Sequence, residues 1–167
     1  MNDAANSPDI AHIANAGLVL LHPFLPMLFK RLGLVANGGD GARAVHLLQY
    51  LVDGSGDARE PELLLNKLMC GLEPDVPAPP VELRPQEREV GDQLLAAVIA
   101  IWSHMRSTSI VGLRATFLQR EGRLQWADGE CTLAVARSPF DVLLSSLPWN
   151  LNVIRQPWMR QALHVRW

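Results

Sequence analysis

The clearest pattern in the chain is an apolar residue at every third or fourth position between residues 85 and 118. This spacing lays a stripe along an α-helix and predicts two helices separated by a break at residues 107 to 109. Pro85 suits a first helical turn, and a hydroxyl at the break can cap the second helix. Arg120 fills the last turn, and Gly122 is expected to form a left-handed stop.

The same spacing predicts four helices before residue 73. They begin at Asp9, which can act as a cap, and at Pro23, Ala42 and Pro61. The first is expected to end or kink at His22. The glycine-rich loop at residues 36 to 41 is interpreted as a plain turn, because it follows no predicted strand and matches no phosphate-binding spacing.

Residues 73 to 85 contain five prolines in thirteen positions, which forbids a helix and extends the chain. This segment is the one internal boundary that the sequence indicates. We therefore predict a disordered N-terminus at residues 1–8, a helical subdomain at 9–73, a linker at 74–85 and an α+β subdomain at 86–167. The two subdomains can also form one cooperative domain.

Beyond residue 122 the apolar period changes from near four to two. Residues 123–126 and 131–135 alternate on either side of Asp128-Gly129, which predicts an antiparallel hairpin. Ser138 can cap a short helix over 139–147, and two further short strands are expected at 151–153 and 163–167. The predicted fold class is α+β, with N-terminal helices and two central helices packed on a small antiparallel sheet formed by the C-terminal hairpins.

Charge is divided unevenly along the chain, although the net charge is only -2. Residues 1–101 contain 7 Lys+Arg and 13 Asp+Glu, which gives -6, whereas residues 102–167 contain 8 Arg and 4 Asp+Glu, which gives +4. Such asymmetry is typical of halves that pair with each other or of a basic binding face. We expect no nucleic-acid partner.

Composition also bears on the class of protein. With 167 residues and 49% hydrophobic content, the chain can bury a real core. It has no apolar run long enough to span a membrane and no secretory signal pattern, so we predict a soluble protein. Cys70 and Cys131 are isolated in the sequence, which favours two buried thiols in a reducing compartment.

No pattern of catalytic residues is visible. The five histidines are scattered and form no metal-binding motif, and Gly54-Ser55-Gly56 does not have the spacing of a nucleophile elbow. We therefore predict no catalytic residue, no metal and no cofactor. A small enzyme is the least favoured class.

Five segments of the chain resemble, in order, the conserved region of contractile injection system tape measure proteins. The most specific pieces are LNKLMCGL at 65–72, GLR at 112–114 followed by FLQREG at 117–122, and LPW at 147–149 paired with PWM at 157–159. The remaining similarity lies in LLQYLVDG at 47–54 and in the end of the chain. Members of that family are usually much longer, with a variable part that is absent here.

The resemblance implies a structural function without catalysis. Such proteins occupy the lumen of a growing inner tube and set its length, attached at one end to the baseplate hub or spike. Even as one helix, this chain would reach only roughly 250 Å at about 1.5 Å per residue. We interpret it as a globular end module that anchors or nucleates assembly in the bacterial cytoplasm and then stays in the particle. The alternative is an adaptor or chaperone-like protein for tail assembly or cargo loading.

The expected partners are the hub or spike proteins and the inner tube of the same particle, or a second copy of the chain. All five tryptophans lie in the last 66 residues, together with most of the arginines. Trp102 and Trp126 are predicted to fill the core, whereas a proline-led turn can hold a tryptophan at the surface. Because tryptophan and arginine often dominate interfaces, we predict a contact surface within residues 147 to 167. Its residues are Trp149, Arg155, Trp158, Arg160, Arg166 and Trp167.

Overall fold

The computed structural model describes residues 9–36 and 38–167, so the predicted disorder of residues 1–8 lies outside the described residues. The α+β fold class is confirmed. The α-helices are α1 (Leu25–Leu32), α2 (Gly41–Asp53), α3 (Leu64–Met69), α4 (Pro85–Ile101) and α5 (Ile110–Leu113). Four 3₁₀ segments, Ala16–Phe24, Glu60–Leu63, Ser103–Met105 and Pro139–Ser146, and one π-helical turn, Arg114–Leu118, connect or extend them.

The sheet has five strands in the order β1-β2-β3-β5-β4. The strands are β1 (Asp9–Ile13), β2 (Gly122–Ala127), β3 (Glu130–Val135), β4 (Val153–Ile154) and β5 (Leu163–Arg166). The β2–β3 and β4–β5 hairpins are present as predicted. The prediction of a purely antiparallel sheet is wrong, because β5 lies between β3 and β4 and runs parallel to β3. Alternation along a strand identifies its two faces but does not identify its neighbour.

The first predicted helix is wrong at its N-terminal end. Residues 9–13 form strand β1, which pairs antiparallel with β2, and the 3₁₀ segment Ala16–Phe24 follows. Ile10 and Ile13 are spaced as on a helix, but pairing with the free edge of β2 satisfies the backbone of this segment instead. The sheet is therefore built from both ends of the described chain.

Gly122 does not form the predicted left-handed stop. It is the first residue of β2, and its φ is not positive. A Cβ atom added there would lie 2.6 Å from the Cβ of Ala16. The glycine thus permits a close approach of strand and 3₁₀ segment rather than a special backbone conformation.

The predicted cap at the break after α4, the turn at Asp128-Gly129 and the cap at Ser138 are confirmed. Ser109 caps α5, since its Oγ accepts a hydrogen bond from Gly112 N at 3.0 Å. Gly33 ends α1 in the left-handed region with φ 65°, and Asp128-Gly129 turns the hairpin with φ of 53° and 78°. Ser138 caps the segment Pro139–Ser146.

One hydrophobic cluster includes buried residues from the N-terminal helices, α4 and the inner face of the sheet. Trp102 is fully buried in it, as predicted, whereas Trp126 is only half-buried. The proline-rich segment contains no helix, also as predicted, but it packs on the helices: Ala78 N donates to Glu60 Oε1 at 2.6 Å, and Ala78 O lies 3.0 Å from His46 Nε2. The division into two subdomains stays a prediction.

Among residues 9–36 and 38–167, no helix combines the length and apolar character that a membrane span requires.

Candidate partner-binding surface of the C-terminal segment

Residues 147–167 form the C-terminal segment, which contains all six predicted interface residues. It leaves the 3₁₀ segment Pro139–Ser146 at Leu147, forms β4, turns over residues 156 to 161 and returns as β5. Val165 N donates to Asn152 O at 2.8 Å, which ties the returning strand to the residue before β4. The segment is therefore held in a hairpin at the edge of the sheet.

Trp149 is half-buried and is attached to the N-terminal part of the chain. Its Nε1 donates to Leu20 O at 2.9 Å, and its ring meets Phe24 edge-on with centroids 5.1 Å apart. Nearby, Gln156 Nε2 donates to His22 O at 2.5 Å, and His22 Nε2 lies 2.8 Å from Asn150 O. Burial lowers the pKa of His22 from its ordinary value, against the opposing effect of that carbonyl.

Trp158 is half-buried in a similar way against other helices. Its Nε1 donates to Met69 O at 2.8 Å, at the end of α3, and its ring lies 5.3 Å from that of Phe29 in α1. The indole N–H thus satisfies one of the carbonyls that the end of a helix leaves unpaired.

Trp167 contacts the 3₁₀ segment Pro139–Ser146. Its Nε1 donates to Asp141 Oδ2 at 3.1 Å, and the Arg120 guanidinium lies 5.4 Å from the centre of its ring. Arg120 is buried and forms an ion pair with Asp141 at 2.8 Å. Arg120 also donates to Thr116 O at 2.8 Å and to Ala136 O at 3.0 Å, so this buried charge is paired and hydrogen-bonded.

The three tryptophans therefore contact three different parts of the protein and use their polar atoms internally. The arginines of the segment have different surroundings. Arg155 and Arg166 are exposed, and neither forms an ion pair with a described residue. Arg160 is 69% exposed at its side chain and pairs with Glu73 at 2.7 Å. The structure does not gather all six predicted residues into one patch.

A cleft that the sequence did not indicate lies beside Arg160. It has a volume of about 250 Å³ and runs between the end of α3 and the turn before β5. Its wall is mainly apolar, with the Glu73–Arg160 ion pair at the same cleft. The lining includes Leu68, Leu72, Trp126, Cys131, Met159 and Leu163. These residues are scattered over the sequence, so only the packing of α3 against the sheet brings them together.

Both cysteines are buried, as predicted. Burial raises the pKa of Cys131 to about 11 and raises the pKa of Cys70 further, so both thiols stay protonated at neutral pH. In the part of the chain that the structure describes, no three His, Cys, Asp or Glu side chains are grouped so that they could hold a metal ion.

The C-terminal segment thus combines three indole hydrogen bonds to other parts of the chain, exposed arginines and a mainly apolar cleft. Residues 2–167 match the family described as contractile injection system tape measure protein, and the chain belongs to that family. The resemblance noted in the sequence is thereby confirmed. The family has a structural role in the injection system and is not an enzyme family. Membership in it implies association with other components of the particle. No match to the chain was found among curated proteins or among solved structures.

Proposed function

We propose that this chain is the globular end module of a tape measure protein, which anchors that protein to the baseplate hub or spike and so helps to set tube length. The observation that carries the proposal is the rigid attachment of the C-terminal segment. Three indole N–H groups hold it to its own chain while Arg155 and Arg160 point to solvent. A segment that is already ordered loses little entropy on binding.

The dimensions of the helices support an anchor rather than a ruler. The longest helix, α4, has 17 residues and is therefore only about 25 Å long. The remaining elements are shorter and pack on a sheet. A fold of this kind offers surfaces for binding, whereas measuring a tube needs an extended element.

The cleft beside Arg160 supports a specific mode of contact. Its volume of about 250 Å³ suits one large apolar side chain of a partner, inserted between Leu72 and Met159. Interfaces commonly combine such a buried anchor with a polar rim. Here Arg160 would form part of the rim. The exposed Arg155, five residues earlier in the segment, would add a second positive charge that favours an acidic group on the partner.

The test is co-purification of the chain with each baseplate and tube component of the same particle. Arg155→Glu combined with Arg160→Glu should weaken hub or spike binding by roughly tenfold or more, because central interface arginines often contribute that much. Lys30→Glu combined with Arg106→Glu is a matched control, since both residues are exposed and the change in net charge is the same. This control should bind as the wild type does.

Two outcomes would contradict the proposal. The chain could bind no baseplate component, or the Arg155 and Arg160 variant, shown to be folded by circular dichroism, could bind with wild-type affinity. Binding to a cargo protein in place of the hub and spike would instead favour the adaptor function.

A further inference from the structure

The face of the sheet that points away from the helices is open and positively charged. The strand register aligns most of its side chains in two rows, with Ala127 and Glu130 as a further pair on the same face beside the β2–β3 turn, and all of them are exposed or half-exposed. The first row is His12, Arg123, Ala134 and Arg166. The second row is Ile10, Gln125, Thr132, His164 and Val153. Arg123 and Arg166 are two strand spacings apart, about 10 Å, and neither makes an ion pair with a described residue. Neither of these two rows contains a carboxylate, and the carboxylate of Glu130 lies beyond them at the hairpin turn.

A groove of opposite charge lies where β1 passes into the 3₁₀ segment Ala16–Phe24. It has a volume of about 420 Å³, and an adjoining cleft of about 450 Å³ shares part of its wall. Four carboxylates line the groove, and no lysine or arginine is present among its described lining residues. The four are Asp53, Asp57, Glu62 and Glu121.

These carboxylates are not neutralised by the rest of the chain. Asp53 and Glu62 accept hydrogen bonds from nearby backbone N–H groups, whereas the carboxylates of Asp57 and Glu121 have no partner among the described residues. None of the four takes part in an ion pair within the described chain. A concave surface with several unpaired charges of one sign focuses its field and attracts the opposite charge.

Asn15 adds a second, independent indication of a cationic ligand. It lines the groove and is 3% exposed. Its Nδ2 donates to Asn66 Oδ1 at 2.7 Å and to Gln49 Oε1 at 3.1 Å, but its Oδ1 has no donor. A buried acceptor without a donor is costly, and a guanidinium can supply several N–H groups at once.

The acidic and basic halves of the sequence pair only in part within one molecule. Among the described residues, two ion pairs join them, Arg114 with Asp92 at 3.7 Å and Arg160 with Glu73 at 2.7 Å. The groove carboxylates and the outer-face arginines take part in neither. Both surfaces therefore keep charges that a second copy of the chain can pair with.

We propose that the outer sheet face of one copy of this chain binds the acidic groove of a second copy. In this contact Arg123 and Arg166 face the four carboxylates, and an inserted guanidinium donates to Asn15 Oδ1. Because the two surfaces differ, the same contact can repeat around a closed ring or occur twice in a symmetric pair. The proposal concerns the chain alone and does not depend on the baseplate contact proposed above.

The experiment is sedimentation velocity over a range of protein concentrations with two charge-altered variants. Arg123→Glu with Arg166→Glu reverses the charge of the sheet face, and Asp57→Arg with Glu121→Arg cancels the net charge of the groove, since Asp53 and Glu62 remain. Each variant should be monomeric alone, whereas an equimolar mixture should associate, because the unchanged groove of the first variant can bind the unchanged sheet face of the second. Association of the wild type should weaken on going from about 0.1 M to about 1 M salt, as the screening length falls from about 10 Å to about 3 Å.

The control is Lys30→Glu with Arg106→Glu, which has the same net charge as the sheet-face variant and should associate as the wild type does. Circular dichroism on each variant separates loss of folding from loss of association. A monomeric wild type at low salt would overturn the proposal, as would a sheet-face variant that still associates or a mixture of folded variants that does not.

Discussion

The C-terminal segment contains two kinds of side chain that sequence reasoning assigned to one surface, and their surroundings differ. Trp149 and Trp158 are half-buried, and each indole N–H is hydrogen-bonded to a backbone carbonyl of an N-terminal element. Arg155 and Arg166 are exposed and form no ion pair with a described residue. A tryptophan that follows a proline is therefore a poor indicator of a free surface when a helix end or turn lies within reach of its N–H.

This contrast predicts that side chains attached within the chain govern stability, whereas the exposed arginines of the C-terminal segment govern association. Five substitutions test it, from the largest expected effect on the free energy of unfolding to the smallest.

Trp102→Ala should have the largest effect, with a loss of about 3–5 kcal/mol in the free energy of unfolding. The side chain is 0% exposed, its ring lies 4.7 Å from Phe117, and Nε1 donates to Leu143 O and Ser146 Oγ, each at 3.0 Å. The measurement is urea denaturation followed by far-ultraviolet circular dichroism. The neighbouring Ile101→Ala, at an exposed site, is the control and should lose much less. Equal losses would contradict the packing described for α4.

Arg120→Met should follow, with a loss of about 3 kcal/mol, because removing one partner of a buried ion pair leaves the other charge uncompensated. Asp141 would lose its cation, and Trp167 would lose the guanidinium over its ring. Arg123→Met, three residues further on at an exposed site, is the matched control. If both variants unfold at the same urea concentration, Arg120 does not hold the C-terminus in place.

Trp149→Phe should cost about 1 kcal/mol, since it keeps most of the ring but removes the hydrogen bond to Leu20 O. Trp126→Phe is the control, because the indole N–H of Trp126 makes no hydrogen bond to a described residue. Comparing the two in the same denaturation experiment isolates the contribution of the N–H. Equal effects at the two sites would show that the hydrogen bond to Leu20 O makes no measurable contribution.

Arg155→Ala and Arg166→Ala should leave the unfolding midpoint unchanged, since exposed side chains without partners contribute little to stability. Arg155→Ala should weaken binding to the hub or spike, and Arg166→Ala should weaken self-association. These two readouts separate the baseplate proposal from the self-association proposal. A fall in the unfolding midpoint for either variant would show that the contrast between tryptophans and arginines is incomplete.

Sequence reasoning was most successful where one residue decides the backbone. Asp128-Gly129 predicted the hairpin, and Ser109 and Ser138 predicted two helix starts, because each of these signals acts over two or three residues. It failed at Asp9–Ile13, where five residues fit a short helix and a strand equally well. The candidate site was predicted only as a stretch of chain, since nothing local connects Glu73 with Arg160.

The sequence by itself determined the family, the fold class, the caps and turns, and the segment that contains the exposed arginines, because all of these depend on residue type and short spacing. Only the tertiary structure decided which strands are neighbours, which tryptophans are attached to their own chain, and how the cleft, the open sheet face and the acidic groove are formed. Those features depend on contacts between residues far apart in the chain, such as β1 with β2 and Trp158 with Met69. Such contacts leave no local pattern, since each partner alone is compatible with many surroundings.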